Sequence, residues 1–275
     1  MLFNDTLVLI KGAGDLASGI AYRLKRAGFP LIMTEQPQPT FIRRTVSYGE
    51  AVYSREVKIE GITARLVDTS AEARQLSNTD MIPILIDPEV KILSTLNPII
   101  LVDAIMSKKN NSTSLNDTPF VIGLGPGFEA EINCHAVIET KRGHWLGRVI
   151  YEGEAEPNSG QPGSIAGYTV NRVIRASGEG HVIPVVQIGM LLNQGDLIAT
   201  IDNQPIKAPF AGVLRGLIHP DVWVKPGCKI GDLDPRNSIQ HCFTISDKSL
   251  AIGGGVLEAV LAYKVTQFNY ELNPS

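Results

Sequence analysis

The sequence predicts an α/β chain in two parts: a parallel-sheet domain over residues 1–135, then a mostly β domain with a C-terminal helix over residues 136–275. Three observations carry that expectation. An apolar strand near the N-terminus runs through a glycine turn into an amphipathic helix. Further apolar strands follow at intervals that leave room for short helices, and beyond residue 136 short strands alternate with glycine and proline turns.

The first strand is Leu7-Val8-Leu9-Ile10, four apolar residues rich in β-formers, too short for a buried helix and patterned for cover on both faces. Lys11-Gly12-Ala13-Gly14 follows. Asp15 then opens a helix that sets Leu16, Ile20, Leu24 and Ala27 on one stripe, with Gly28 where a left-handed residue is favoured. Gly12 permits the turn, and Gly14 lets backbone approach a diphosphate. The helix behind them offers free N–H groups at a dipole end worth about half a charge. Ala17 takes the small third position where helix meets strand. A second strand, Leu31-Ile32-Met33-Thr34, ends at Glu35, where an acid bonds an adenosine ribose and repels a 2′-phosphate. This order reads as a Rossmann-like, phosphate-binding unit using Gly12, Ala13, Gly14, Asp15, Leu16, Ala17 and Glu35, with NAD favoured over NADP. Arg43, beside Arg44, is the alternative receiver of a phosphate.

Two prolines make residues 36–40 a loop, and residues 41–52 read as a short helix or mixed element. Val57-Lys58-Ile59 and residues 62–67 flank Glu60-Gly61 as an inserted hairpin. A helix over 71–76 capped by Thr69 or Ser70, a strand over 82–86 and a short helix from Asp87-Pro88 to Leu96 come next. The strand at 98–102 ends in Asp103. Ligands gather beyond the carboxyl ends of parallel strands, so Asp103 either faces the crevice of Gly12 and Glu35 or caps the next turn. Residues 108–118 are polar and without period, a loop inside the first domain. Phe120-Val121-Ile122 then enters a second glycine turn, Gly123-Leu124-Gly125-Pro126-Gly127-Phe128. There Gly125 and Gly127 either expose amides for an anion or simply make a tight turn. Cys134 beside His135 reads as an inert, partly buried thiol, since strand neighbours point to opposite faces.

In the second domain, residues 136–140 and 144–151 form two strands around Lys141-Arg142-Gly143; residues 152–167 are a joint, and a strand resumes over 168–176. Residues 186–199 and 218–231 repeat approximately, as two halves of a small barrel. The Ala208-Pro209-Phe210-Ala211-Gly212 segment between them resembles biotinyl and lipoyl carrier barrels. The hairpin where such carriers present a lysine is here Asp202-Asn203-Gln204-Pro205, which argues against a carrier role. Residues 246–263 close as a helix whose glycines, at about 1 kcal/mol each against Ala, imply close packing.

Composition narrows the function classes. A net charge of −3, 6% aromatic residues and no dense Lys/Arg block give nucleic acid no electrostatic footprint. Three cysteines without a CxxC pair suit a reducing cytoplasm and argue against structural zinc. No apolar run has the length of a membrane span, and the first residues lack a signal-peptide pattern, so a cytoplasmic protein without a membrane role is expected.

Several segments together resemble the YqeB family: residues 11–19, Arg43-Arg44 with Thr45-Val46, Gly123 to Phe128, the stretch from Glu139-Thr140-Lys141-Arg142-Gly143-His144 to Arg148, and Ala251 through the glycines to Ala259. The resemblance implies an accessory role in maturing a selenium-dependent molybdenum hydroxylase of the xanthine dehydrogenase type, through handling of the molybdopterin cofactor or its selenium ligand. The client hydroxylase is then the protein partner. No catalytic residue comes with the resemblance. Two alternatives stand beside it, an NAD-dependent oxidoreductase and a docking scaffold that binds no nucleotide; against the first, no Tyr-Lys pair or His-Asp dyad is placed for hydride transfer.

Overall fold

The computed structural model describes residues 3–107, 112–157 and 172–272; residues 108–111 of the expected loop, 158–167 of the expected joint and 168–171 of the expected strand lie outside them. The first part runs β1 (Val8–Lys11), α1 (Asp15–Arg26), β2 (Leu31–Glu35), α2 (Ala51–Ser54), β3 (Glu56–Ile59), β4 (Ile62–Leu66), α3 (Ser70–Ser77), β5 (Ile82–Ile86), α4 (Leu93–Leu96), β6 (Ile100–Asp103), β7 (Phe120–Leu124), β8 (Glu129–Ala130), β9 (Ala136–Ile138), β10 (Val149–Ile150) and β11 (Gly153–Glu154). The remainder is β12 (Val173–Arg175), β13 (Gly180–Pro184), β14 (Leu191–Leu192), β15 (Leu197–Ile201), β16 (Gln204–Lys207), β17 (Gly212–Leu217), β18 (Trp223–Val224), β19 (Lys229–Asp234), α5 (Gln240–Phe243) and α6 (Asp247–Leu272).

This architecture corrects the expected fold class. The large sheet has nine strands in the order β10-β9-β7-β6-β1-β2-β5-β4-β3. It is mixed, not parallel: the β3–β4 hairpin and β10 pair antiparallel at its two edges. Nor is it helix-wound throughout. Among the described residues, no helix joins β6 to β7 or β7 to β9, because the polar residues there carry no apolar stripe with which to cover a sheet. The second part is not a carrier-type barrel. It consists of two four-stranded antiparallel sheets, β12-β19-β17-β14 and β16-β15-β13-β18, over a shared core of Val182, Ile198, Leu214, Ile230 and Leu233. The boundary expected at 135/136 falls inside the nine-stranded sheet, which continues through β9 and β10.

The cover missing from β7 and β9 comes from the far end of the chain. α6 returns across the whole second part and packs on α1, burying Ile252, Val256, Ala259 and Val260 with Ile20, Leu24, Ile122 and Ile138 in one core. Residues 240–269 are long and apolar enough, by length and composition, to cross a membrane; here Ile252, Val256, Ala259 and Val260 serve the core, while Phe243, Leu261, Val265 and Phe268 are exposed. The approach is close enough to exclude a Cβ. One built on Gly253 would stand 2.5 Å from the Gly19 carbonyl oxygen, and one on Gly19 would overlap the Ser249 carbonyl. Gly254, between two such positions, has open space. The opposite sheet face is covered by α3, α4 and loops, with Leu9, Ile32, Val121 and Phe128 beneath them.

Gly253→Ala should therefore cost about 3 kcal/mol through overpacking, whereas Gly254→Ala should be neutral or gain up to about 1 kcal/mol from helix propensity. Urea unfolding of the two variants checks this, and equal effects would show that the helices do not touch. A second outcome concerns Lys25, on α1, whose buried ammonium donates to the Ser77 carbonyl at 3.0 Å. Burial pulls its pKa down from 10.5 to about 8. Between those values the unfolded chain binds the extra proton, so stability rises with pH across that window. Chemical denaturation at pH 8 and pH 10 should show the rise in the wild type and a smaller one in Lys25→Met.

Candidate functional site

β1, β2 and β6 end side by side. Lys11 is in register with Thr34 on one flank and with Asp103 on the other, so these three residues stand together at the carboxyl edge of the sheet. Above them lies a crevice of about 350 Å³ lined by Lys11, Gly12, Gly14, Thr34, Glu35 and Phe41, among others. Gly12 holds φ +97°, and an added Cβ would press the Ala104 carbonyl at 3.3 Å, so only glycine fits without strain.

The glycine turn is partly engaged by the protein itself. Gly12 N–H donates to the Thr34 carbonyl at 2.9 Å. Ala13 N–H donates to Glu35 Oε2 at 2.9 Å and Gln36 N–H to Oε1 at 2.8 Å. Glu35 thus clamps the turn rather than standing open to a ribose. Burial raises its carboxyl above the usual range, and the two amides only partly oppose that. The N–H groups of Gly14, Asp15, Leu16 and Ala17 have no partner among the described residues, and no side chain caps the helix. Leu16 is half-buried and Ala17 buried, both against the main core.

Asp103 reaches the crevice through Lys11. Its Oδ2 accepts from the Lys11 ammonium at 3.2 Å and from the Thr113 hydroxyl at 2.6 Å, while Oδ1 takes the Ile105 N–H at 3.2 Å. Both partners of this ion pair are buried. Lys11 was not among the residues expected at the site. Its signal was present, as a lysine placed directly between an apolar strand and a glycine.

The other expected residues are placed elsewhere. Arg43 donates from Nη1 to Asp15 at 2.9 Å and from Nη2 to the His241 carbonyl at 3.0 Å. Asp15 also accepts from the Ser249 hydroxyl at 2.9 Å, so both face α5 and α6 instead of the crevice. Gly125 lies at the end of β7, two strands from β1 and so about 10 Å across the sheet. Its N–H is taken by the Ile138 carbonyl at 2.9 Å, and the Thr140 hydroxyl fills the space beside its Cα. Gly127, at φ +101°, belongs to the same packed turn, and neither glycine lines the crevice. Cys134 is buried, which pushes its thiol up to about 11 and leaves no thiolate at neutral pH.

Asp103→Ala should cost about 3 kcal/mol in urea unfolding, because it leaves a buried ammonium without its carboxylate. A loss below about 0.5 kcal/mol would show that other partners hold Lys11 in place.

No protein-family model matches the chain. Among solved structures, an aspartoacylase family protein from Mesorhizobium loti aligns over 83% of this chain and 84% of its own, at 8% identity and a TM-score of 0.27. A succinylglutamate desuccinylase from a Silicibacter species covers the same shares at 11% identity and a TM-score of 0.26. Those scores are too low to carry an argument. Among curated proteins, the "Uncharacterized protein YqeB" of Escherichia coli K12 is 51% identical over 255 residues, which is 93% of this chain and 47% of that protein. The chain is a relative of YqeB that spans about half of that protein's length, and the match supports the family resemblance read from its motifs.

Proposed function

We infer that the chain is an accessory protein in the maturation of a selenium-dependent molybdenum hydroxylase, and that it holds the phosphate-bearing end of a molybdopterin or nucleotide cofactor. The observation that carries this reading is the start of α1, where the N–H groups of Gly14 to Ala17 have no partner among the described residues and Gly14 lines the crevice over β1, β2 and β6. A helix N-terminus with open N–H groups favours a phosphate oxygen, and the crevice lies at the lower end of the range for small-molecule sites, about 300–1,000 Å³. The residues fit one phosphate and part of a ring system. Bound there, a pterin cofactor would supply the dithiolene chemistry that its client enzyme needs. The protein's own part is to seat and orient the phosphate end: Gly14 by leaving the approach open, Glu35 by fixing the turn, and the Lys11–Asp103 pair by stiffening the crevice floor.

A docking scaffold without nucleotide is the second reading. It is favoured by the amides of Gly12, Ala13 and Gly125, which already have protein partners.

Isothermal titration of the full chain against NAD, molybdopterin nucleotides and simple nucleotides separates the two readings. Binding of one of them, lost in Gly14→Val with the melting temperature unchanged, supports cofactor handling. Absence of binding to every ligand overturns it and leaves the scaffold.

A further inference from the structure

β3 is the last strand on its side of the nine-stranded sheet and pairs with β4 alone. The Leu66 N–H donates to the Arg55 carbonyl at 2.8 Å, and bonding alternates along an antiparallel pair. Val57 and Ile59 therefore bond to β4, while the main-chain groups of Glu56 and Lys58 point away from it. The Ser54 hydroxyl donates to the Glu56 carbonyl at 2.8 Å. The Glu56 N–H and both the N–H and the carbonyl of Lys58 have no partner among the described residues. An unpaired strand edge of this kind is a template for another strand.

The edge opens on a groove of about 840 Å³ that shares no lining residue with the crevice. Glu56, Val57 and Lys58 line it from the first part of the chain. Val185, Val186, Ile188 and Phe243 line it from the second, with Val185 57% and Phe243 47% exposed. The groove thus offers free main-chain donors and an acceptor together with apolar side chains left in water. Its two carboxylates already have arginine partners: Glu50 takes Arg44 at 2.7 Å, and Glu56 takes Arg65 at 2.8 Å. Glu60, two residues beyond Lys58, accepts the Ile245 N–H at 2.7 Å and does not line the groove. Lys58 is exposed and has no ion pair among the described residues, so the charge that complements this edge is negative.

We propose that this groove binds an extended segment of a partner protein by strand addition to β3, with an acidic residue opposite Lys58 and apolar residues against Val185 and Phe243. Main-chain bonds to Glu56 and Lys58 would hold any strand, and the side chains on the two walls select an acidic and apolar one. The groove is separate from the crevice, so the proposal does not depend on cofactor handling.

Fluorescence anisotropy of the full chain with a labelled peptide of alternating valine and glutamate tests it. The expected result is saturable binding that weakens about tenfold in Lys58→Glu, is lost in Lys58→Pro, and is unchanged in Gly14→Val of the crevice. The Lys58 N–H points out of the sheet, where an edge strand tolerates proline. The same peptide N-methylated at alternate residues removes the incoming donors without altering the protein, so it decides the matter even where Lys58→Pro lowers the melting temperature. It should not bind. Absence of binding by the unmethylated peptide, or equal binding by the methylated one, overturns the proposal. A dimer in sedimentation velocity that Lys58→Pro abolishes also overturns it, by placing a second copy of the chain on the edge.

Discussion

The close approach of α6 to α1 is the constraint on which the rest of the structure depends. Gly19 and Gly253 bring two helix backbones together where a methyl group would collide. The returning helix supplies cover that the β6–β7 and β7–β9 connections lack. It also brings Ser249 to Asp15 and Asp247 to Arg142, so one packing event completes a hydrophobic core and assembles an electrostatic junction. Dispersion and apolar burial drive that event, because the exposed Arg142–Asp247 pair contributes at most about 1 kcal/mol. A buried methylene, by comparison, contributes about 0.8 kcal/mol, and this interface hides Ile252, Val256 and Val260.

Buried charge is handled in two ways within the molecule. Lys11 and Asp103 are closely matched, with Thr113 and the Ile105 amide taking up the remaining acceptor capacity of the carboxylate. Such a pair stabilises little relative to an apolar substitute, yet it fixes the geometry of the strand ends below the crevice. Arg43 and Arg215 are held differently: both donate to the His241 carbonyl, each has a carboxylate within reach, Asp15 at 2.9 Å and Asp234 at 3.5 Å, and the buried Arg43 Nε has no partner. The first arrangement is typical of a structural support.

Much of the crevice was legible from local sequence. Gly12 needs positive φ, Gly14 opens the first turn of α1, and Glu35 ends β2, all as read from the order strand, glycine turn, helix, strand. What that reading misjudged was direction. Glu35 points back at the Ala13 amide, and Arg43 and Asp15 find one another and turn toward α5 and α6. Gly125 resembles Gly12 in sequence, but its N–H is taken by the Ile138 carbonyl and Thr140 packs against its Cα. A spacing rule cannot see a side chain that arrives from another strand.

The amino-acid sequence by itself determined the strand–glycine–helix opening, the buried parallel strands at β1, β2, β5, β6 and β7, the β3–β4 hairpin and the presence of a glycine-bearing helix at the end. Those features follow from short-range sterics, apolar periodicity and turn chemistry, which act over a few residues. Tertiary structure alone decided that the sheet is mixed, that the second part forms two antiparallel sheets, and that the last helix belongs to the first core. It also decided which charges pair. These outcomes turn on contacts between residues as far apart as Asp15 and Ser249, whose energies depend on burial and distance that no local pattern encodes.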